Sequence, residues 1–203
     1  SLETATGIQL QDEGSQLVAE LLGKGTHILD CCAAPGGKTA VLLQNNPEAK
    51  VLACDMHPAR LETMRSRLSH AMYQDRVEFR VADASTLTGI GPFSRILCDV
   101  PCTGTGTLAC NPEIRHRLQP QELIRQADRQ RAILLAALRL LAPGGRLLYS
   151  TCSLEPEENE AVIETCLNSA ENSTQTWNRL DLGTEFDRLE REGYPTPAET
   201  LRC

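Results

Sequence analysis

Short apolar runs alternate with segments of helical periodicity over the first 170 residues. The apolar runs predict β-strands at 27–32, 50–55, 76–83, 94–99 and 144–151. Apolar positions that recur every three or four residues predict helices at 38–46, 58–72, 121–141 and 156–170. Strands separated by helices are typical of βαβ units. The pattern therefore predicts an α/β fold with a largely parallel sheet and helices on both faces.

The C-terminal part of the chain does not continue this pattern. From about residue 172 the sequence is polar, and no element is predicted before 199–203, ETLRC, which looks like the start of a strand. A length of 203 residues suits one domain with a core of its own. We therefore expect a single domain over residues 1–203 and, from the unfinished strand, a fragment of a longer protein.

Composition limits the class of protein further. No apolar run reaches the roughly 18 residues of a membrane span, and residues 1–15 lack the basic and apolar segments of a signal peptide. The nine cysteines include no C-x-x-C pair, which disfavours a zinc site and a disulfide framework. We expect reduced thiols, mostly in the core, in a cytoplasmic protein without metal or membrane contact.

The net charge of −7 is unevenly distributed. Residues 155–199 carry twelve acids and three arginines, a net of −9, whereas residues 1–154 have a net of +1. The stretch 111–139 holds six arginines against three acids. That stretch is either a solvated helix face or a local surface for an anionic ligand, and the composition leaves both open.

The loop after the first predicted strand, DCCAAPGGKT at 30–39, is the first candidate ligand site. Ligands of open parallel sheets bind at the carboxyl ends of the strands. Gly36 and Gly37 open a helix and allow close approach to the backbone. A P-loop would need glycine where Cys32 stands, and the dinucleotide fingerprint G-x-G-x-x-G is missing. The loop therefore suits a nucleoside cofactor without phosphates.

Two aspartates lie at the ends of the next two predicted strands. Asp55 is placed to accept hydrogen bonds from ribose hydroxyls, and Asp83 to accept one from an adenine amino group. Either aspartate alone could be a turn or N-cap residue. The glycine turn and the two acids, in this order, fit S-adenosylmethionine.

Cysteines follow the fourth and fifth predicted strands, in DVPC (99–102) and STCS (150–153). Both loops are expected at the cofactor edge of the sheet. Methylation of carbon 5 of cytosine needs such groups, because a thiolate added at carbon 6 makes carbon 5 nucleophilic. Asp99 can hydrogen-bond ring nitrogen 3 and the exocyclic amine as charge develops. The residues alone leave open which thiol attacks.

An amine methyltransferase is the alternative at this strand end. Such enzymes place an acid or asparagine before Pro-Pro-aromatic, whereas here Pro101 is followed by Cys102. The thiol pair disfavours this alternative, because amine transfer needs no cysteine.

Over residues 7–170 the chain resembles the Sun (nucleolar-protein) family of RNA cytosine-5 methyltransferases, and most closely the catalytic domain of the bacterial 16S ribosomal RNA enzyme. The markers that carry this resemblance are QDEGSQ (11–16), CCAAPGGKT (31–39), Asp55 with Arg60, Asp83, DVPCTGTG (99–106), NPEIR (111–115) and PGGRLLYSTCSLEPEENE (143–160). The resemblance implies a Rossmann-like class I S-adenosylmethionine-dependent methyltransferase fold.

The resemblance also implies a role for each site residue. Cys152 would be the nucleophile, Cys102 would help to release the product, and Lys38 would hydrogen-bond Asp99, the acid that faces the base. The residues implied to bind the cofactor are Cys32, Ala33, Ala34, Pro35, Gly36, Gly37, Lys38, Asp55 on the ribose, Arg60, Asp83 near the adenine, and Asp99.

The implied partner is RNA, either ribosomal or transfer, with the target cytidine flipped out of its stack and the protein a monomer. The chain departs from the family at Val100, where alanine is usual, and after NPEI, where Arg115 replaces an aromatic residue. The family's C-terminal hairpin with DGFF and its N-terminal RNA-binding domain are not in this sequence. A non-catalytic RNA-binding domain and an enzyme that acts on DNA are the remaining alternatives.

Overall fold

A five-stranded sheet organises the protein, whose computed structural model describes residues 13–69, 73, 75–170 and 176–193. The strands are β1 (His27–Asp30), β2 (Lys50–Asp55), β3 (Val77–Val81), β4 (Phe93–Asp99) and β5 (Leu141–Ser150). Their order is β3-β2-β1-β4-β5, and β1 pairs in parallel with both β2 and β4. The chain order therefore reverses between β1 and β4, the place where open α/β sheets bind ligands.

The helices occupy the segments between the strands and extend beyond them. They are α1 (Glu13–Leu22), α2 (Gly37–Asn45), α3 (Pro58–Arg67), α4 (Ile114–Arg117), α5 (Pro120–Leu140), α6 (Glu160–Ala170) and α7 (Leu182–Arg191). Short 3₁₀ turns cover Ala84–Thr86, Thr105–Thr107 and Pro156–Glu158. The alternation predicted from the sequence is confirmed, with boundaries that move by a few residues.

The structure corrects the sequence prediction at several elements. The strand predicted at 27–32 ends at Asp30, and the helix predicted at 156–170 begins as a 3₁₀ turn before α6. Helix α7 lies in the tail where no element was predicted. It has few apolar positions, but Asp181 caps it by accepting a hydrogen bond from Thr184 N at 2.9 Å, and Leu189 is fully buried.

The described chain forms two compact units. The first runs up to Asp99 and includes Ala136–Tyr149; the second comprises Val100–Leu135 and the chain from Ser150. The core of the first unit is aliphatic, and its members include Leu22, Ile28, Leu43, Ala53, Met64 and Leu97. Helix α1 packs on α2, and α3 packs on β2 and β3, so these helices cover the apolar strand faces.

Some sequence expectations concern residues outside the described ones. These are the first part of the family resemblance (7–12), the end of the helix predicted at 58–72, and the strand start at 199–203. Among the described helices, none is long and apolar enough to cross a bilayer. Within the same residues no group of three metal-ligating side chains comes together.

Candidate active site

The loop after β1 is tied to the strands on both sides of it. Cys31 N donates to Leu97 O at 2.9 Å, on the β4 side, and Ala33 N donates to Cys54 O at 2.8 Å, on the β2 side. The loop therefore continues the hydrogen-bonding of the sheet beyond the end of β1. It fixes the backbone of residues 31–34 at the switch point of the sheet.

Gly36 is the residue at which this loop turns into α2. Its φ of +102° lies in the left-handed region, which glycine adopts without strain. A Cβ at this position would come within 2.7 Å of Met64 Cγ, in the core beneath the loop. Both the positive φ and the close approach of Met64 require glycine at position 36. The glycine turn therefore has a structural reason that does not depend on a ligand.

Lys38, in the first turn of α2, forms an ion pair with Asp99 at the end of β4. The Nζ–Oδ2 distance is 2.7 Å, and the two side chains are 21% and 31% exposed. The pair is only partly desolvated, so its geometry matters more than its net contribution to stability. It holds the Asp99 carboxylate in a fixed position at the sheet edge.

Asp30 is a neighbour of that pair which the sequence analysis did not assign. The residue is 1% exposed, and its Oδ2 accepts the hydroxyl hydrogen bond of Thr39 at 2.6 Å. Burial raises the pKa of Asp30 to about 7 and the charge of Asp99 adds to the rise, whereas Thr39, Lys38 and the Cys32 backbone N–H oppose it. The predicted strand 27–32 placed Asp30 inside the strand; with the observed end of β1 at Asp30, the rule that located Asp55 and Asp99, an acid at a strand end, applies to it as well.

The raised pKa of Asp30 predicts a pH dependence of stability. From about pH 4 to about pH 7 the unfolded chain has lost the Asp30 proton while the folded chain keeps it. The free energy of unfolding should therefore fall as the pH rises through this range. Asp30→Asn should remove this dependence, a change on the order of a few kcal/mol.

Urea unfolding at several pH values across this range measures the effect. The exposed acid Glu48 provides the control, because Glu48→Gln removes a carboxylate without changing a buried one. A steep fall that persists in Asp30→Asn would show that another group causes it.

Asp55 and Arg60 hold the loop from the β2 side. Asp55 is 4% exposed, with Oδ1 accepting from His57 N at 2.9 Å and Oδ2 from Ala34 N at 3.3 Å. Arg60 Nη2 donates to Ala34 O at 2.7 Å, and its Nη1 lies 3.9 Å from Asp55 Oδ2. These contacts give both residues a structural role, and the ribose contact of Asp55 stays a prediction.

Asp83, two residues beyond β3, caps the 3₁₀ turn Ala84–Thr86. Its Oδ1 accepts from Ser85 N at 2.9 Å and from Ser85 Oγ at 2.7 Å. This is the N-cap arrangement that was open for a lone aspartate. The contact of Asp83 with an adenine stays a prediction.

The acids of the first unit suit a cationic nucleoside. Asp30, Asp55 and Asp99 end β1, β2 and β4, and Asp83 follows β3, so all four lie at the carboxyl edge of the sheet. Asp30 Oδ1 is buried and has no hydrogen-bond partner among the described residues. S-adenosylmethionine carries a sulfonium, an ammonium and two ribose hydroxyls. Carboxylates stabilise these cations and accept from these hydroxyls, so the residues fit this cofactor.

The second unit brings the two predicted cysteines together. Cys102 Sγ and Cys152 Sγ are 3.1 Å apart, and Cys152 N donates to Cys102 Sγ at 3.3 Å. Neither residue is in a disulfide. Residues 50 positions apart in the chain therefore form one thiol pair.

The two sulfurs of this pair differ in environment. Cys152 is exposed, whereas Cys102 is partly buried. The hydrogen bond between the Cys102 and Cys152 sulfurs raises the pKa of Cys102 well above its usual range, and burial raises it further. This direction favours a protonated Cys102 at neutral pH. Cys152 is the sulfur that is open to attack an electrophile.

A network of side chains behind the thiol pair joins the two loops. Ser153 Oγ lies 3.2 Å from both Thr103 Oγ1 and Thr105 Oγ1. Glu158 accepts from Thr103 N at 3.0 Å and from Gln130 Nε2 at 2.8 Å. Thr103 and Ser153 directly follow the two cysteines in the chain, but their contacts with each other and with Glu158 and Gln130 arise only in the fold.

A cavity of about 520 Å³ opens beside Cys102 in the second unit. Its lining includes Thr103, Ile114, Leu118, Gln119, Glu122, Arg125 and Gln126. Two arginines of the basic stretch are paired along α5, Arg125 with Glu122 at 3.0 Å and Arg131 with Asp128. These pairs favour a solvated helix face for part of that stretch, although Arg125 also reaches the cavity.

Four of the other cysteines are buried, as predicted for reduced core thiols. The sulfurs of Cys31 and Cys98 lie 3.6 Å apart, and Cys54 lies near them. The Cys166 thiol donates a hydrogen bond to Arg131 O. Burial raises the pKa of Cys54 to about 12 and that of Cys166 to about 11. These thiols are inert, in contrast to the exposed Cys152.

Comparisons with known proteins agree with this arrangement. A model of the family described as 16S rRNA methyltransferase RsmB/F matches residues 20–197. Ribosomal RNA small subunit methyltransferase B of Vibrio cholerae is 38% identical over 163 residues, which cover 79% of this chain and 38% of the relative. The Xanthomonas campestris protein of the same name is 35% identical over 165 residues, with the same two coverages. The chain thus spans about two fifths of the length of these relatives.

Solved structures give the same result. NSun6 from Pyrococcus horikoshii, crystallised with SFG, has a TM-score of 0.70 and 30% identity, over 85% of this chain and 46% of that one. A methyltransferase homologue from the same organism has a TM-score of 0.70 and 33% identity, covering 83% of this chain and 54% of that one. The predicted Rossmann-like α/β fold of S-adenosylmethionine-dependent methyltransferases is confirmed.

Proposed function

The chain belongs to the 16S rRNA methyltransferase RsmB/F family, and from this membership we propose that it methylates carbon 5 of a cytidine in ribosomal RNA. The observation that carries the proposal is the thiol pair of Cys102 and Cys152, whose sulfurs are 3.1 Å apart. Carbon 5 of a pyrimidine is too weakly nucleophilic to be methylated without prior covalent activation, and a thiolate provides that activation.

S-adenosylmethionine, when bound, supplies an electrophilic methyl group on a sulfonium. The residues that would hold it are those of the loop at 32–38, together with Asp30, Asp55 and Asp83. The carboxylates of Asp55 and Asp83 would accept from its hydroxyls, and its positive charges would favour the ionised form of Asp30, whose pKa burial raises to about 7 in the free protein. This assignment explains why the first unit keeps a buried acid, Asp30, with an oxygen that lacks a partner.

Cys152 is the proposed nucleophile. Its thiolate, formed when the thiol proton passes to water, makes a bond to carbon 6, and the electrons of the carbon 5–carbon 6 double bond are displaced toward ring nitrogen 3, which takes up a proton from water. Carbon 5 thereby becomes nucleophilic toward the methyl group that the bound cofactor would supply, and the cofactor sulfur would keep the electron pair of the broken bond. Cys152 suits this role because it is exposed and its sulfur lies within hydrogen-bond distance of the Cys102 sulfur.

Cys102 is proposed to act in the release step. In the adduct the Cys152 sulfur is a neutral thioether, so the interaction that raises the pKa of Cys102 in the free pair is lost. Cys102 can then give its thiol proton to water and, as a thiolate, accept the proton on carbon 5. The electrons of that C–H bond restore the carbon 5–carbon 6 double bond, the carbon 6–sulfur bond breaks with its electron pair on Cys152, and ring nitrogen 3 returns its extra proton to water.

Asp99 and Lys38 are proposed to bind the base. The exocyclic amine of cytosine would donate to the Asp99 carboxylate, which Lys38 holds at 2.7 Å. A fixed acceptor costs no reorganisation when charge shifts in the ring. Asp99 precedes Cys102 by three residues in the chain, so one short segment carries both the base-binding acid and the release thiol.

Ribosomal RNA is the proposed substrate because the relatives from Vibrio cholerae and Xanthomonas campestris are named for small-subunit ribosomal RNA. This substrate agrees with the cytoplasmic location expected from the sequence. Transfer RNA remains the alternative substrate, and a non-catalytic RNA-binding role is the alternative function.

Methyl transfer from labelled S-adenosylmethionine tests the proposal. The 203-residue chain is incubated with unmodified small-subunit ribosomal RNA or with transfer RNA, and the RNA is digested to nucleosides. We expect label in 5-methylcytidine from ribosomal RNA. Label only from transfer RNA would change the substrate, and label in another nucleoside would overturn the carbon 5 chemistry. Cofactor binding without any transfer would favour the non-catalytic role.

A further inference from the structure

Glu158 is a buried carboxylate to which the mechanism above gives no role. It ends the 3₁₀ turn Pro156–Glu158, just beyond the Cys152 loop, and it is 0% exposed. A buried carboxylate is costly unless donors surround it. The adjacent Glu157 lies in the same turn and is exposed. Glu158 therefore has a structural reason to be buried that Glu157 does not share.

Two of the donors to Glu158 belong to Thr103, next to Cys102, and a third belongs to Gln130 on α5. Thr103 N donates to Oε1 at 3.0 Å and is 3.3 Å from Oε2, and the Thr103 hydroxyl donates to Oε2. Gln130 Nε2 donates to Oε1 at 2.8 Å and to Pro101 O at 2.9 Å. Glu158 and Gln130 therefore fix the residues on both sides of Cys102.

The same segment is joined to the Cys152 loop from the other direction. Gly106 N donates to Cys152 O at 3.0 Å, and Leu154 N donates to Thr105 Oγ1 at 2.9 Å. A Cβ at Gly106 would lie 2.9 Å from Cys152 O, so the two loops are in close contact there. Cys152 is thus held by a backbone hydrogen bond from Gly106, whereas Glu158 and Gln130 bond the residues on either side of Cys102.

We propose that Glu158 is the positioning residue that holds the Cys102 sulfur against the Cys152 sulfur. A carboxylate suits this place because its two oxygens accept all three donors. A glutamine would offer one acceptor oxygen and turn its own NH₂ group toward N–H donors, leaving a buried donor unpaired. The consequence for turnover rests on the proposed function, whereas the sulfur geometry does not.

Oxidation of the thiol pair to a disulfide tests whether the Cys102 and Cys152 sulfurs lie close together, and it needs neither RNA nor cofactor. One peroxide takes the two thiol hydrogens and two electrons, giving two waters and a disulfide between Cys102 and Cys152. We expect this disulfide in the unmodified chain treated with hydrogen peroxide, with the buried Cys31 and Cys98 unchanged, as peptide mapping would show. In Glu158→Gln the rate of cross-linking should fall by about tenfold or more.

Glu157→Gln is the matched control, since it makes the same chemical change one residue away on an exposed side chain, and it should cross-link at the unmodified rate. Thr103→Val removes one donor to Glu158 and keeps the backbone N–H. Thr103→Val should slow cross-linking by a smaller factor than Glu158→Gln does. If circular dichroism shows that Glu158→Gln does not fold, the cross-linking rate of Thr103→Val tests the inference in its place.

The RNA reaction gives a second reading. If Cys102 is displaced, release should fail before addition does, so Glu158→Gln should accumulate the covalent RNA adduct relative to product. Cross-linking at the unmodified rate in both Glu158→Gln and Thr103→Val would overturn the inference. Slow cross-linking in these variants, combined with no 5-methylcytidine from the unmodified chain, would support the inference and overturn the proposed function.

Discussion

Cys152→Ser is expected to abolish both methyl transfer and the covalent adduct with RNA, whereas Cys102→Ser is expected to form the adduct and stop there. Loss of the nucleophile removes the only route that activates carbon 5. Turnover should fall by about 10⁴-fold or more, the scale seen when the nucleophile of a covalent enzyme is removed. Methyl transfer from labelled cofactor and denaturing gels of protein with RNA measure the two effects.

The different results for the two cysteines have one physical cause. The Cys102 sulfur lies 3.1 Å from the Cys152 sulfur and is partly buried, which raises the pKa of Cys102, so it is expected to keep its proton until Cys152 has reacted. Serine at 102 would not ionise near neutral pH, and the proton on carbon 5 would have no acceptor. The enzyme should then remain bound to its methylated RNA.

Cys110→Ser is the control for this experiment. Cys110 is an exposed thiol in the same unit, and its replacement should change neither turnover nor adduct. If Cys152→Ser retained the adduct while Cys102→Ser lost it, the two roles would have to be exchanged. Both variants must first show a normal thermal unfolding transition.

Lys38→Met and Asp99→Asn are each expected to lower kcat by roughly 10²- to 10³-fold, the range for removing one preorganised polar contact in an active site. Lys38 and Asp99 form one ion pair at 2.7 Å, so the loss of either side chain removes the same contact. Their effects should therefore not add. The double variant should be about as slow as the slower single variant.

Steady-state kinetics of the four forms measure this coupling. Lys38→Arg keeps a cation at the position and should recover part of the rate. Lys24→Met removes an exposed lysine of the same unit and should leave the rate unchanged. Full additivity of Lys38→Met and Asp99→Asn would show that Lys38 acts independently of Asp99.

Local patterns in the sequence were sufficient for the strands and for the residues at their ends. Strand β2 is an uninterrupted apolar run that ends at Asp55, and β4 is a similar run that ends at Asp99. Such runs predict buried parallel strands, and the carboxyl ends of those strands predict the ligand edge. Helix α7 was missed because it has few apolar positions, and a capping aspartate with one buried leucine stabilises it.

The sequence was not sufficient for residues whose role depends on burial. Asp30 stands in the same kind of strand-end position as Asp55, but only its burial raises its pKa to about 7. Glu158 looks like one acid among several in an acidic segment, and it becomes distinct because Thr103, 55 residues away, donates to it. Asp83 was predicted to end the third strand, but β3 ends two residues earlier at Val81, and the described contacts of Asp83 are those of a turn cap.

The sequence by itself determined the α/β order, the family and the positions of the two cysteine loops, because these follow from hydrophobic periodicity and from motifs confined to short segments. The tertiary structure alone decided that the sulfurs of Cys102 and Cys152 lie 3.1 Å apart, that Asp30 is buried near Lys38, and that Glu158 accepts from Thr103 next to Cys102. Those properties depend on distances and solvent exposure between segments that are far apart in the chain. No local pattern encodes them, since they arise only when the strands pair and their loops meet.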